Sequence, residues 1–160
     1  MISLIRKEVS GFFSSVVGYI AIIVFLLAIG MFMWIIPGET NVYDNGFSDM
    51  GFLFANAPAV FLFLIPAITM RLFAEERRMQ TLELLFTKPL TDFQIVMAKY
   101  LAGIVLLIFS LLPTVVYYYS IVQLGDPVGN IDSGGTIGSY IGLFFLGSGF
   151  LAIGLFASSI

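Results

Sequence analysis

The sequence predicts an all-α membrane protein: an amphipathic N-terminal helix, four transmembrane helices and a short cytoplasmic helix between spans two and three. Of the 160 residues, 59% are hydrophobic and 11% are charged, whereas an ordinary soluble domain has about 25% charged residues. A soluble domain of this length still exposes about a third of its unfolded surface, which here would be largely apolar. The uncharged stretches and the placement of the basic residues complete the prediction.

Four uncharged stretches are each long enough to cross the hydrocarbon core of a bilayer. They cover residues 16–36, 52–70, 100–122 and 137–156, and the spans assigned around them are 16–36, 52–73, 97–122 and 137–157. At about 1.5 Å per residue, the first stretch reaches roughly 31 Å. It is too long for the core of a secretory signal and no small-residue cleavage site follows it, so it is interpreted as a retained span.

Residues 1–15 form the first predicted element, an amphipathic helix. Apolar side chains recur there at helical spacing, while Arg6 and Lys7 fall with serines largely on the other side. This pattern is typical of a helix that lies in the headgroup layer of a membrane. A simple N-terminal extension of the first span is the alternative, and Gly18 is the candidate for a bend between the two.

The distribution of charge predicts the orientation of the spans. Arg6 and Lys7 precede the first span, and the other five basic residues lie at or between the facing ends of spans two and three. The remaining loops, residues 37–51 and 123–136, hold five carboxylates and no Lys or Arg. By the positive-inside rule the N-terminus is cytoplasmic, and the loops alternate outside, inside and outside.

Spans two to four carry residues that shape helix packing. Pro58 and Pro66 are expected to kink span two, and Pro113 interrupts span three, which ends in an aromatic belt of three tyrosines. Span four carries five glycines: Gly138, Gly142, Gly147, Gly149 and Gly154. Small residues let helices approach closely, so these glycines are interpreted as a packing face, with a substrate pathway as the alternative.

The composition argues against an enzyme. Without Cys or His the chain has no thiolate nucleophile, no Cys- or His-based metal site and no Ser–His triad. It also lacks a Gly-Lys-Ser/Thr phosphate-binding loop, and its net charge of −3 does not suggest nucleic-acid binding. The uncharged stretches hold no ionisable residue for an ion relay, Arg71 being the nearest. We therefore expect no cofactor in this chain and an energy source in another subunit.

The cytoplasmic loop at residues 74–94 is the most informative segment. Its first half is rich in helix formers, and Pro89 disfavours helix at the residue before it. Thr91 and Gln94 then form a capping box that opens the next helix. The short helix displays apolar side chains that a solvated hairpin would not need: Leu82, Leu84, Leu85 and Phe86. They either lie against the membrane surface or dock into a cytoplasmic partner.

This loop and its flanks resemble the permease subunits of ABC-2 type transporters. The resemblance rests on Ile-Arg-Lys-Glu at 5–8, Met-Arg at 70–71, Glu-Glu-Arg-Arg at 75–78, Thr-Leu-Glu-Leu-Leu at 81–85, Thr-Lys-Pro-Leu-Thr at 87–91, Lys-Tyr-Leu-Ala-Gly at 99–103 and Gly-Ser-Tyr-Ile-Gly at 138–142. It covers nearly the whole chain, and the stretch from Thr81 to Pro89 is its most specific part. Within the family the chain is most similar to the gliding-motility-associated permeases of Bacteroidota.

The resemblance implies a six-span permease in the bacterial inner membrane, working as a dimer or with a related permease. It implies that two partner subunits bind and hydrolyse ATP, that residues 1–15 are the family's elbow helix, and that the inner loop carries the coupling helix. The residues implied in coupling are Glu75, Glu76, Arg77, Thr81, Leu82, Glu83, Leu84, Leu85 and Pro89. A membrane scaffold that binds a cytoplasmic partner without transport is the alternative.

Two features depart from the family pattern. Gln80 stands where family members commonly have Gly before the Thr of the coupling helix. The chain also has four predicted spans rather than six, so it is expected to be an incomplete six-span permease.

Overall fold

The computed structural model describes residues 2–39, 41–46, 49–78 and 91–159, and within these ranges the chain is helical without a β-strand. The helices are α1 (Ile2–Ser14), α2 (Val16–Gly30), α3 (Val42–Asn45), α4 (Gly51–Arg78), α5 (Asp92–Leu111), α6 (Thr114–Leu124) and α7 (Ser133–Ser159). A π-helical turn, Met31–Ile35, continues α2. The all-α expectation is thus confirmed over the described ranges.

Three helical segments of the described chain are long and apolar enough to cross a membrane: Gly18–Ile35, Phe93–Leu124 and Ser133–Ser159. A shorter apolar segment, Gly51–Pro66, forms the first part of α4. The helix of α4 continues through both of its prolines and reaches Arg78, beyond the end assigned to the second span. These features fit a multi-pass membrane protein, and the count of four spans stays a prediction.

Four long rods of helix alternate in direction along the chain. The rods are α2 with its π-helical turn, α4, α5 together with α6, and α7. Their directions follow from the contacts Phe25–Phe61, Phe32–Phe52, Phe54–Tyr140, Phe61–Gly147, Thr69–Gly154, Gly103–Leu151, Leu107–Gly147 and Thr114–Tyr140. Along these contacts α2 runs antiparallel to α4, α4 runs parallel to α7, and α5 with α6 runs antiparallel to α7.

The core consists of two clusters of buried apolar side chains. The larger one lies among all four rods and includes the stacked rings of Phe25 and Phe61. The smaller one joins α1 to the bundle and contains Phe12, Ala21, Ile68, Ala102, Leu106 and Leu155. Large apolar side chains such as Phe63 and Phe145 remain exposed on the outside of the rods. Such a surface suits contact with lipid rather than with water.

The bend between α1 and α2 lies at Ser15, three residues before the predicted position. Ser15 adopts an extended backbone, with φ −96° and ψ 141°, between two helical neighbours. Gly18 nevertheless makes the bend possible, because a Cβ there would lie 2.5 Å from the carbonyl oxygen of Phe12. The glycine therefore permits a close approach of α2 to the end of α1.

Candidate functional site

The predicted coupling loop is only partly described by the structure. Glu75, Glu76 and Arg77 belong to the last turns of α4, and their side chains lie outside the described part. The other six predicted coupling residues, Thr81, Leu82, Glu83, Leu84, Leu85 and Pro89, lie outside the described residues altogether. The role of all nine in coupling therefore stays a prediction, and the structure describes the two flanks of the loop.

The far flank of the loop begins with the predicted capping box. The Gln94 N–H donates to Thr91 Oγ1 at 3.4 Å, and the Thr91 N–H donates to Gln94 Oε1 at 3.4 Å. These two bonds satisfy donors at the start of α5 that have no partner within the helix. The helix after the loop therefore begins at Asp92, with Thr91 as its N-cap.

Two turns into α5, Lys99 is buried and pairs with Glu8 of α1. Lys99 Nζ lies 3.5 Å from Glu8 Oε2, and only 1% of the lysine side chain is exposed. The other carboxylate oxygen, Glu8 Oε1, lies 3.6 Å from Lys7 Nζ and has no hydrogen bond within the described chain. Lys99 belongs to the apolar segment Phe93–Leu124. The expectation that no span contains a buried ionisable residue is therefore wrong at this position, because the third predicted span, 97–122, includes Lys99.

The ion pair lies beside the apolar contact between α1 and α5. Phe12, four residues after Glu8 and so on the same face of α1, packs with Ala102 and Leu106. The ring of Phe13 lies 5.0 Å from the ring of Phe109. Removal of one partner from a buried ion pair typically costs about 3–5 kcal/mol. The pair and the aromatic contacts together fix α1 to α5, so part of the apolar face of α1 is covered by protein.

Sequence reasoning missed this ion pair for a simple reason. Glu8 and Lys99 are 91 residues apart, and nothing in one sequence pairs two such residues. Lys99 lies at the start of the third predicted span, 97–122, where lysines commonly extend to the headgroups. The structure instead turns its side chain toward α1. The headgroup position of residues 1–15 stays a prediction.

The five predicted packing glycines of α7 fall on two faces. A Cβ on Gly147 would lie 2.8 Å from a methyl group of Leu107, and a Cβ on Gly154 would collide with the side chain of Thr69. A Cβ added to any of the exposed glycines would meet nothing within 4 Å; these are Gly138, Gly142 and Gly149. Two of the five thus lie in helix contacts, and three lie on an open face.

A third close approach was not singled out from the sequence. A Cβ on Gly103 of α5 would lie 2.9 Å from a methyl group of Leu151 on α7. Gly103 appeared in the sequence only as part of a family resemblance. A lone glycine inside an apolar helix signals a close contact only when its neighbour is known.

An apolar cavity of about 400 Å³ lies between the start of α5 and the end of α7. It is lined by Val96, Met97, Tyr100, Ala152, Leu155, Phe156 and Ser159. Its lining carries no charged side chain, so it suits a hydrocarbon group rather than an ion. Two of the lining residues link the cavity to the smaller core cluster, because Leu155 belongs to that cluster and Tyr100 packs against it.

Comparison with known proteins identifies a transporter family. The sequence profile of the ABC-2 family transporter proteins matches residues 13–159, which is all but the first twelve residues and the last one. No curated protein and no solved structure matches the chain.

Proposed function

Because the chain belongs to the ABC-2 family of transporter proteins, we propose that it is the permease of an ATP-driven exporter, coupled to its ATPase through residues 74–94. Membrane permeases of this family normally work with an ATPase subunit. The observation that carries the proposal is the geometry at the two flanks of the loop. The helix of α4 continues beyond its apolar segment to Arg78, and α5 starts at a capping box at Thr91.

The alternating directions of the four rods support a cytoplasmic position for this loop. Since α4 and α5 run in opposite directions, the end of α4 and the start of α5 lie on the same side of the bundle. The Glu8–Lys99 pair brings α1, with Arg6 and Lys7, to that side as well. The six basic residues in the described part of the chain then belong to helix segments at one end of the bundle. By the positive-inside rule that end is cytoplasmic, and the four rods are four membrane spans.

The proposal includes a second permease copy or a related permease in a bacterial inner membrane. The open face of α7, with Gly138, Gly142 and Gly149, supports it, because exposed glycines let another helix approach closely. The role in gliding motility rests on the sequence resemblance alone. If the permease has six spans, as that resemblance implies, the open face also suits contacts with two further helices.

Alanine substitution in the loop tests the coupling. If Leu82 and Leu85 fill a groove on the ATPase, truncation of each costs about 2–5 kcal/mol at a packed site. The Leu82→Ala/Leu85→Ala variant should then bind the ATPase at least a hundred-fold more weakly, since about 1.4 kcal/mol corresponds to a factor of ten. Affinity purification of tagged permease from membranes, followed by assay of the ATP hydrolysis that purifies with it, measures this loss.

The matched control is Leu62→Ala/Leu124→Ala, which truncates two half-exposed leucines away from the loop. It should retain ATPase binding, and both variants should insert normally. Full ATPase binding and full coupled hydrolysis in the loop variant would contradict the proposal. Binding of a partner without ATP hydrolysis in the wild type would favour the scaffold alternative.

Single cysteines test the orientation independently of the ATPase. The chain contains no cysteine, so Asn45→Cys, Gly129→Cys and Gln80→Cys each carry one reactive thiol. A membrane-impermeant thiol reagent added to intact cells should label the first two and spare the third. Labelling of Gln80→Cys from outside would overturn the proposed orientation.

A further inference from the structure

The rod formed by α5 and α6 is broken at Leu112 and Pro113. The last regular bond of α5 runs from the Leu112 N–H to the Ile108 carbonyl at 2.9 Å. Pro113 has no N–H to donate, and the chain restarts with shorter-range bonds from Val115 to Leu112 and from Val116 to Pro113, at 3.1 and 3.0 Å. The break therefore leaves α6 attached to α5 without a continuous ladder of helical hydrogen bonds.

The helix beyond the break, α6, has few buried side chains. Thr114 and Ile121 are buried. Val115, Val116 and Leu124 are each at least half exposed. Segments with few buried apolar contacts open at low cost in free energy. Apolar packing restrains α6 mainly through Ile121 and the rings of Tyr117 and Tyr118, which contact the larger core cluster.

Hydroxyl groups hold the base of α6. Thr114 Oγ1 lies 2.6 Å from the Leu111 carbonyl and 2.9 Å from Tyr140 Oη. A threonine hydroxyl has one hydrogen, and the short contact shows that it is donated to the carbonyl of Leu111. Tyr140 of α7 therefore donates to Thr114. This chain of two hydrogen bonds fastens the break itself to α7.

Two further tyrosines hold the middle of α6. Tyr117 Oη donates to the Leu26 carbonyl of α2 at 3.2 Å, and Tyr118 Oη lies 3.0 Å from Ser133 Oγ at the start of α7. Tyr119 is 63% exposed and has no hydrogen bond from its hydroxyl in the described structure. The three hydroxyl contacts thus join α6 to both neighbouring rods, and Tyr119 is a natural control.

We propose that α6 is a hinged segment that swings about the break at Pro113, and that the contacts of Tyr117, Tyr118 and Tyr140 hold it in its closed position. A side-chain hydrogen bond between membrane helices contributes little free energy compared with a packed core, so these contacts can be released without unpacking the bundle. The swing moves α6 away from α2 and α7 and opens the space between them at this end of the bundle. The proposal assigns a gate-like movement to one half of one rod and does not depend on the ATPase.

Spin-label distances in lipid nanodiscs test the hinge. One pair of labels, at Phe63→Cys and Leu124→Cys, reports on α6, and the pair Phe63→Cys and Ile108→Cys reports on α5; all three positions are exposed. Dilution with unlabelled protein restricts the measurement to distances within one chain. Tyr117→Phe/Tyr140→Phe should broaden and shift the distance distribution of the 63/124 pair and leave the 63/108 pair unchanged. Tyr119→Phe should change neither distribution.

Variants at the break separate a hinge from general loosening. Thr114→Ser keeps the hydroxyl and should behave as the wild type, whereas Thr114→Val should broaden the 63/124 distribution. Pro113→Ala restores an N–H at the break and should suppress the broadening caused by the tyrosine variants. Two results for Tyr117→Phe/Tyr140→Phe would overturn the proposal: a 63/124 distribution equal to that of Tyr119→Phe, or a 63/108 distribution that broadens as much as the 63/124 one. The proposal is also overturned if Pro113→Ala does not reduce the broadening.

Discussion

The two faces of α7 carry the same residue type and differ in what surrounds it. On one face, Gly147 and Gly154 lie against Leu107 and Thr69, with no room for a Cβ. On the opposite face, Gly142 and Gly149 have open space around them. The first face is the seam where α4, α5 and α7 meet, and no other helix of the described residues covers the second face.

This difference shows that glycine spacing on a membrane helix does not by itself identify its packed side. Both faces display glycines about one or two turns apart, as a helix interface requires. Only the neighbouring helices distinguish them, since a glycine is needed where another side chain occupies the volume of its missing Cβ.

Gly154→Val should destabilise the protein by about 3 kcal/mol, the upper end for overpacking of a core. The new Cβ collides with the side chain of Thr69. Thr69 is completely buried, and its side chain is short and stays near the helix backbone, so it has little room to move. Unfolding by detergent titration in mixed micelles measures the loss. Gly149→Val is the matched control, because it carries the same helix-propensity cost on the open face. The free energies of unfolding of the two valine variants should therefore differ by most of this loss of about 3 kcal/mol.

Partial rescue of Gly154→Ala by Thr69→Ala would locate the clash at this contact. Equal stability of the two valine variants would remove the distinction between the faces.

Gly147→Ala should have a smaller effect, about 1–2 kcal/mol. Its Cβ would lie 2.8 and 2.9 Å from the two methyl groups of Leu107 and 3.3 Å from the ring of Phe61. The leucine methyls are the end of a flexible side chain and can shift, unlike Thr69. The same unfolding titration, with Gly142→Ala as the control, measures the difference. A loss as large as that of Gly154→Val would mean that the seam is equally rigid along its length.

Gly142→Leu should change the stability of the single chain by less than about 0.5 kcal/mol, as expected for an open surface position. It should nevertheless weaken self-association if the open face receives a second copy of the permease. A loss of about 1.4 kcal/mol there corresponds to a tenfold weaker dissociation constant. Sedimentation equilibrium in density-matched detergent measures the dissociation constant from the amounts of single chain and associated permease. Unchanged association of Gly138→Leu, Gly142→Leu and Gly149→Leu would show that no second copy lies on this face.

Several features of the fold and the site were readable from residues close together in the sequence. The capping box at Thr91 and Gln94 needs residues three apart, and it is present as predicted. The interruption at Pro113 follows from the missing N–H of one residue, and the helix breaks there. The expected bend after residues 1–15 occurs at Ser15 rather than at Gly18, because the glycine accommodates the bend without being its pivot.

The remaining features depend on which helices become neighbours. Lys99 pairs with Glu8 because α1 lies along α5. Tyr140 reaches Thr114 because α7 runs beside the break at Pro113.

The sequence by itself determined the membrane class, the long apolar helices and the one-sided placement of the basic residues. These follow from hydropathy, length and charge, which are summed along the chain and need no knowledge of its neighbours. The tertiary structure alone decided which glycines of α7 are packed, that Lys99 is buried, and that hydroxyl groups fasten α6. Each of these depends on contacts a few ångströms long between residues far apart in the sequence, and only the packing of the rods against one another brings such residues together.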